Sequence, residues 1–258
     1  MSINWSSFPA NTFAGRALRF SLRLIPKGQV VRVRSGLNRG MFWIVGAGTH
    51  GCWLGTYETE KQNALARFVK PGMKVLDIGA NAGFYTLAFS RLVGDAGHVW
   101  ALEPFAQNVA HLLTHIRQNR LRNVSVVQVA VGRRSSISGF QIADNGFMGQ
   151  LHDGSPYQVP VTSLDELIEA GVLPIPDLIK MDIEGAESRL LEGAKAMLAK
   201  RQTTLFIALH GEEQKQRCRD LLVTTGYDLY SLDGEKLDGA VRATDEIYAR
   251  PRVTGERD

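Results

Sequence analysis

From residue 74 onward, short apolar runs alternate with longer stretches whose apolar positions recur every three or four residues. "KVLDIG" (74–79), "HVWALE" (98–103), "VSVVQVAV" (124–131), "DLIKMD" (177–182) and "TLFIALH" (204–210) read as buried strands, apolar nearly throughout. "FYTLAFSRLV" (84–93), closed by "GDAG", reads as a helix. Residues 106–119 place Val109, Leu112, Leu113 and Ile116 on one helical face. A helix after residue 182 buries Leu190, Leu191, Ala194, Met197 and Leu198, and another covers 212–225. "YDLYSLD" (227–233) and "EIYAR" (246–250) close the pattern as strands. Strands alternating with helices predict a parallel sheet with right-handed crossovers. Residues 132–163 are polar and irregular, with short strands at "SISGFQI" and "QVPVTSL". Upstream, "QVVRVRSG" and "MFWIV" read as strands and 58–69 as a helix, with a turn at Pro71-Gly72. Residues 12–25 fit an amphipathic helix: Phe13, Ala17, Phe20 and Leu24 align, Arg16, Arg19 and Arg23 lie away from them, and Pro26 ends it.

Charge divides the chain further. Residues 1–57 hold seven Lys or Arg and no Asp or Glu. Removing those seven from the total of 30 leaves 23 basic against 26 acidic residues in 58–258, a net −3. This predicts a basic extension (1–57) on a domain spanning 58–258. The extension suits an anionic surface such as membrane or glycolipid, or it docks on the body with its arginines in water. Nucleic acid is disfavoured, because no basic stripe with interleaved aromatics lies near the pocket motifs. No apolar run reaches the ~18–20 residues of a membrane span, and no secretory leader is evident. Cys52 and Cys218 match no metal or redox spacing. The expected setting is the reducing cytoplasm, with peripheral membrane contact through the extension.

Two glycine loops compete for a nucleotide. Gly46, Gly48 and Gly51 fit G-x-G-x-x-G, but "CWLGTYE" after them reads as a turn or strand, and no acid ends a second strand nearby. The second, "VLDIGANAGFYTL", lies between a strand and a helix, and Glu103 ends the next strand 20 residues past Gly83. A bare backbone at Gly79 and Gly83 permits close approach, a helix N-terminus takes a carboxylate, and Glu103 can accept both ribose hydroxyls. The wide spacing suits S-adenosylmethionine, which has a ribose and an amino-acid tail but no phosphate.

"VLDIGANAGFYTLAFSR", "ALEP", "VAVG", "TSLDEL", "LIKMDIEGAE" and "IALHGEE" occur in this order and together resemble the FkbM family of S-adenosylmethionine-dependent methyltransferases. The resemblance covers about 54–250. It implies a class I methyltransferase fold, Rossmann-like, with a seven-stranded sheet of order 3-2-1-4-5-7-6 and its last strand antiparallel. It also implies O-methylation of a sugar, glycolipid or secondary metabolite. By position, Asp77, Gly79, Ala80, Asn81 and Gly83 would surround the methionine tail, with Tyr85 and Thr86 near its carboxylate. Glu103 would hold the ribose, and Val129 and Ala130 would flank the adenine. Glu58 could face the pocket or cap its helix, and Asn145 in the polar stretch 144–154 could meet substrate from a lid.

A neutral hydroxyl needs a base as the methyl is transferred. Asp182 and His210 end neighbouring strands, so they can meet above the cofactor loop. His210 is read as the base, with Asp182 orienting it or binding the acceptor. His152 is a lesser candidate. A rival arrangement holds magnesium with Asp182, Glu184 and Glu212 and lowers the hydroxyl's pKa that way, though magnesium's preference for oxygen disfavours it beside a histidine. Glu184 and Glu187 also suit a helix N-terminus, and Glu187 reads chiefly as a dipole partner. Lys180 reads as a lysine with its head at the surface. A nucleotide-dependent oxidoreductase on a related fold is the competing function.

Overall fold

A computed structural model of the chain describes residues 25–144, 146–237 and 244–252. Arg16, Arg19 and Arg23 of the expected N-terminal helix, and Asn145, lie outside the described residues. Beyond the pair β1 (Val30–Arg32) and β2 (Phe42–Ile44), seven strands build the central sheet. They are β3 (Lys74–Ile78), β4 (His98–Leu102), β5 (Val124–Val127), β10 (Leu178–Met181), β11 (Thr204–Ala208), β12 (Tyr227–Ser231) and β13 (Glu246–Pro251). Their order is β12-β13-β11-β10-β3-β4-β5, and β13 runs antiparallel to both neighbours. Numbered from β3, this is the order 3-2-1-4-5-7-6 and the class I methyltransferase fold.

The strands are continuous apolar runs because helices cover both faces. Side chains alternate across the sheet: Val75 and Val99 belong to one core, Leu76 and Leu102 to the other. The helix Phe84–Val93 sinks Leu87, Phe89 and Val93 completely. Each such side chain contributes roughly 1.5–3 kcal/mol. Register then aligns the strand ends. Ile78 pairs with Leu102 on one side and Met181 on the other, and Met181 pairs with Ile207. The residues that follow, Gly79, Glu103, Asp182 and His210, therefore emerge along one edge.

A smaller sheet of order β6-β9-β7-β8 stands beside that edge. It comprises β6 (Ala130–Val131), β7 (Ser136–Ile142), β8 (Gly149–Leu151) and β9 (Gln158–Thr162). The stretch read as irregular thus contains a β7–β8 hairpin. A helix also follows at Leu164–Glu169, started by a capping box between Ser163 and Glu166.

Two expectations need revision. "CWLGTYE" is neither turn nor strand at its start: His50–Leu54 is a helix, ended by Gly55 in the left-handed conformation. The helix after β10 is two helices, Glu187–Glu192 and Lys195–Ala199. Gly193 separates them, where a Cβ would stand 2.2 Å from the Gly132 carbonyl oxygen. Within the extension, Val33, Trp43, Val45, Cys52 and Trp53 share one core with Val75 and Phe89. No helix among the described residues is long and apolar enough to cross a membrane.

Candidate functional site

A solvent-open cavity lies over the aligned strand ends. Gly79–Ala82, Glu103 and Val129–Val131 form its floor, Phe140 and Phe147–Leu151 one side, and Asp182–Glu184 another. The third side, Trp43, Ala47–Thr49, Cys52 and Tyr57, was not anticipated. The first glycine loop therefore reaches the cavity after all, though the helix it starts has only five residues.

The second glycine loop is tightly built. Gly79 has φ 73°, and a Cβ there would lie 1.9 Å from the Asp182 carbonyl oxygen, so only glycine fits. Asn81 is also left-handed, with φ 51°. Its backbone N–H donates to Glu103 Oε2 at 2.8 Å. Glu103 Oε1 accepts from the Phe105 N–H at 3.0 Å and the Asn108 amide at 3.2 Å. Burial raises the pKa of Glu103, against the lowering effect of these donors. Oε2 keeps a lone pair for a further donor. The hairpin tip is tied down too: the Asn81 and Asn108 amides both donate to the Phe147 carbonyl, at 2.6 and 3.0 Å.

Several expected contacts are instead structural. Asp77, Gly83 and Thr86 do not line the cavity. Asp77 is fully buried behind the loop, accepting from Thr86 Oγ1 at 2.6 Å, with Lys180 Nζ 3.5 Å away. Lys180 is accordingly not a surface lysine: it is buried, and donates to the Gly79 carbonyl at 3.3 Å. It holds the loop to β10. Glu58 neither lines the cavity nor caps its helix through its side chain. It accepts from the Tyr85 hydroxyl at 2.7 Å and pairs with Lys61 at 3.3 Å. Burial, then Glu58, push the Tyr85 phenol pKa far up, so it stays neutral. Tyr85, Ala80, Val129 and Ala130 do line the cavity.

At the β10–β11 edge, His210 Nδ1 lies 2.8 Å from Glu187 Oε1. An ionised carboxylate only accepts, so Nδ1 carries the proton and Nε2 presents a lone pair when the ring is neutral. Nε2 faces Glu184 Oε2 at 3.6 Å and Asp182 Oδ1 at 3.8 Å. The hydrogen bond to Glu187 raises the histidine pKa above its ordinary 6.5, against burial, and the other two carboxylates add to it. The orienting partner is thus Glu187, a buried residue that opens the helix after β10, and not Asp182. The N-cap of that helix is Ala186. Burial alone would raise the pKa of Asp182, but Lys180 and Lys61 outweigh it and hold the carboxylate ionised. Burial raises Glu184 despite His210. Glu184 sits at φ 53°, a strained backbone that sets its carboxylate beside the histidine. Neither His152 nor His210 lines the cavity, but His210 Nε2 stands beside Asp182 and Glu184, which do.

Ligand atoms of Asp182, Glu184 and His210 lie within 4.8 Å of one another, a spacing that admits a cation. Glu212 does not join them; its carboxylate is 85% exposed and pairs with Lys215. Sequence reasoning also missed Lys61 altogether. It is 5% exposed and bridges Glu246 at 2.6 Å, Glu58 at 3.3 Å and Asp182 at 3.4 Å. Its neighbours Ala64 and Leu65 mark the buried face of its helix, the one local hint.

The model of the methyltransferase FkbM domain matches residues 77–238, more than half of the chain. A solved FkbM methyltransferase from Methylobacillus flagellatus KT superposes with a TM-score of 0.51 at 20% identity, covering 69% of this chain and 43% of that one. Two curated protein-L-isoaspartate O-methyltransferases match over shorter stretches. That of Methanothrix thermoacetophila is 34% identical over 59 residues, 23% of this chain and 28% of the relative. An Arabidopsis thaliana enzyme is 30% identical over 118 residues, 43% of this chain and 49% of the relative. The matched stretches thus span less than half the length of each of these relatives.

Proposed function

Because this chain belongs to the FkbM family of methyltransferases, we propose that it moves the methyl group of S-adenosylmethionine to a hydroxyl oxygen of a sugar, glycolipid or secondary metabolite, with His210 as general base. The observation that carries this reading is the pair Glu187–His210, with the free Nε2 turned toward Asp182 and Glu184 at the cavity. The donor's residues fit as well. Glu103 offers Oε2 to a ribose, Val129 and Ala130 an apolar wall to an adenine, and the helix beginning at Phe84 its first N–H groups to a carboxylate.

S-adenosylmethionine supplies an electrophilic methyl group, so a carbon–oxygen bond forms as the sulfur–carbon bond breaks. The acceptor hydroxyl donates its proton to His210 Nε2. Glu187 holds the ring in the required tautomer and stabilises the imidazolium that results. Asp182 and Glu184 flank Nε2 and can each accept from a second hydroxyl. That favours an acceptor with neighbouring hydroxyls over an isolated alcohol.

The donor is tested by thermal unfolding. S-adenosylhomocysteine at ~100 times its Kd should stabilise the protein by about 2.7 kcal/mol, and NAD should not. Stabilisation by NAD alone would return the oxidoreductase reading. Glu103→Ala should weaken S-adenosylhomocysteine by at least about tenfold in calorimetry, since a hydrogen bond to a charged group contributes roughly 1.5–3 kcal/mol. An unchanged Kd would remove Glu103 from the ribose site.

The Asp182, Glu184 and His210 spacing supports a second reading, in which a divalent cation at these atoms acidifies the hydroxyl. The two readings exclude each other, because the cation would occupy Nε2. Turnover that survives dialysis against EDTA supports the base. Turnover lost to EDTA and restored by magnesium or manganese supports the metal.

A further inference from the structure

Trp43 is 1% exposed and lines the cavity, yet its indole Nε1–H has no hydrogen-bond partner. A buried donor left unpaired is costly, and the indole N–H can only donate. Resting on the cofactor reading above, we propose that the Trp43 indole N–H donates to the carboxylate of the amino-acid tail of S-adenosylmethionine. The donor site would then be completed by a residue outside the family-matched stretch.

The indole cannot easily turn elsewhere. Its ring stacks on His115 at 4.1 Å and 18°, and meets Phe84 edge-on at 6.1 Å. His115 is itself fixed between two backbones. Its Nε2 accepts from the Ile44 N–H at 2.9 Å, so Nδ1 carries the proton and donates to the Ala82 carbonyl at 2.8 Å. Burial pushes the His115 pKa down to about 4, which keeps this neutral tautomer. His115 thereby ties β2, which carries Trp43, to the glycine loop. The Asn38 amide adds a second tie, donating to the Phe84 carbonyl at 2.7 Å.

Position identifies the ligand atom. Glu103 marks the ribose end of the cavity, whereas Trp43 packs on Phe84, the first residue of the helix after the glycine loop. That helix start is where an anionic tail gains most. The carboxylate is the only anionic group of S-adenosylmethionine. Gly48, which also lines the cavity, lies beside the indole: a Cβ there would be in ordinary contact with Trp43 Cζ2, at 3.7 Å.

The test compares two ligands that share the nucleoside. S-adenosylhomocysteine has the amino-acid tail; 5′-methylthioadenosine lacks it. Calorimetry with Trp43→Phe, which keeps an aromatic ring and removes the N–H, should show S-adenosylhomocysteine weakened about tenfold and 5′-methylthioadenosine within about twofold of wild type. Retained 5′-methylthioadenosine binding also shows that the variant folds. Equal loss for both ligands, or no loss for either, overturns the proposal. A second readout uses the wild-type protein with 15N-labelled tryptophan. One of its four indole N–H resonances should shift with S-adenosylhomocysteine and stay in place with 5′-methylthioadenosine. Four unmoved resonances overturn it equally. Wild-type protein that binds neither ligand would bring down the cofactor reading and this inference together, an outcome distinct from failure in the variant alone.

Discussion

His210→Ala should bind S-adenosylhomocysteine within about twofold of wild type and lose about 10²–10⁴-fold in turnover, the usual contribution of a positioned base. His210 does not line the cavity that would hold the cofactor, so binding is spared. Turnover is read as S-adenosylhomocysteine released with a polyol acceptor, and near-normal turnover would retire His210 as the base. The pH profile gives a second check. Only the neutral ring accepts a proton, so activity falls as pH drops through the folded-state pKa. That pKa is raised above 6.5, chiefly by the hydrogen bond to Glu187, so the acidic limb should lie above 6.5. Glu187→Gln removes the largest cause and should move the limb to lower pH. A limb that stays put would mean Glu187 does not control the base.

Lys61→Met should destabilise the fold by about 3 kcal/mol, the lower end for breaking a buried ion pair. At roughly 2–4 °C per kcal/mol for a domain of this size, thermal unfolding should begin about 10 °C lower. Burial alone would lower the pKa of Lys61, yet Asp182, Glu58 and Glu246 together raise it, so the ammonium stays charged. Its loss strands three carboxylates, which are 21–29% exposed and partly relieved by water. This is why the lower end applies. The consequence reaches the site, because Asp182 loses one of the two lysines that keep it ionised. A melting temperature within 2 °C of wild type would show that water screens the cluster.

Much of this was legible in the chain. The glycine loop, Glu103 and the parallel sheet could be read because each depends on local spacing or on the rules for linking parallel strands, whereas the strand order came from the family resemblance. Asp182 and His210 could be paired at a separation of 28 residues because both end strands that such a sheet makes neighbours. Glu187 could not be assigned. A glutamate at a helix start satisfies the helix dipole equally well whether or not a histidine stands opposite. Lys180 was misread for a related reason: a lysine within an apolar strand has no surface to reach, and its partner Asp77 lies across the pairing of β3 and β10.

The sequence by itself determined the sheet, the glycine loop and the acid that faces it, because apolar period and glycine spacing are properties of contiguous residues. Only the tertiary structure decided which carboxylate holds His210, that Lys61 joins three acids, and that Trp43 walls the cavity. Lys61 and Asp182 are 121 positions apart, and Trp43 meets His115 through a strand pair laid on a distant helix. Partners so far apart leave no periodic trace in the chain, since what brings them together is the packing of whole elements and not the order of neighbouring residues.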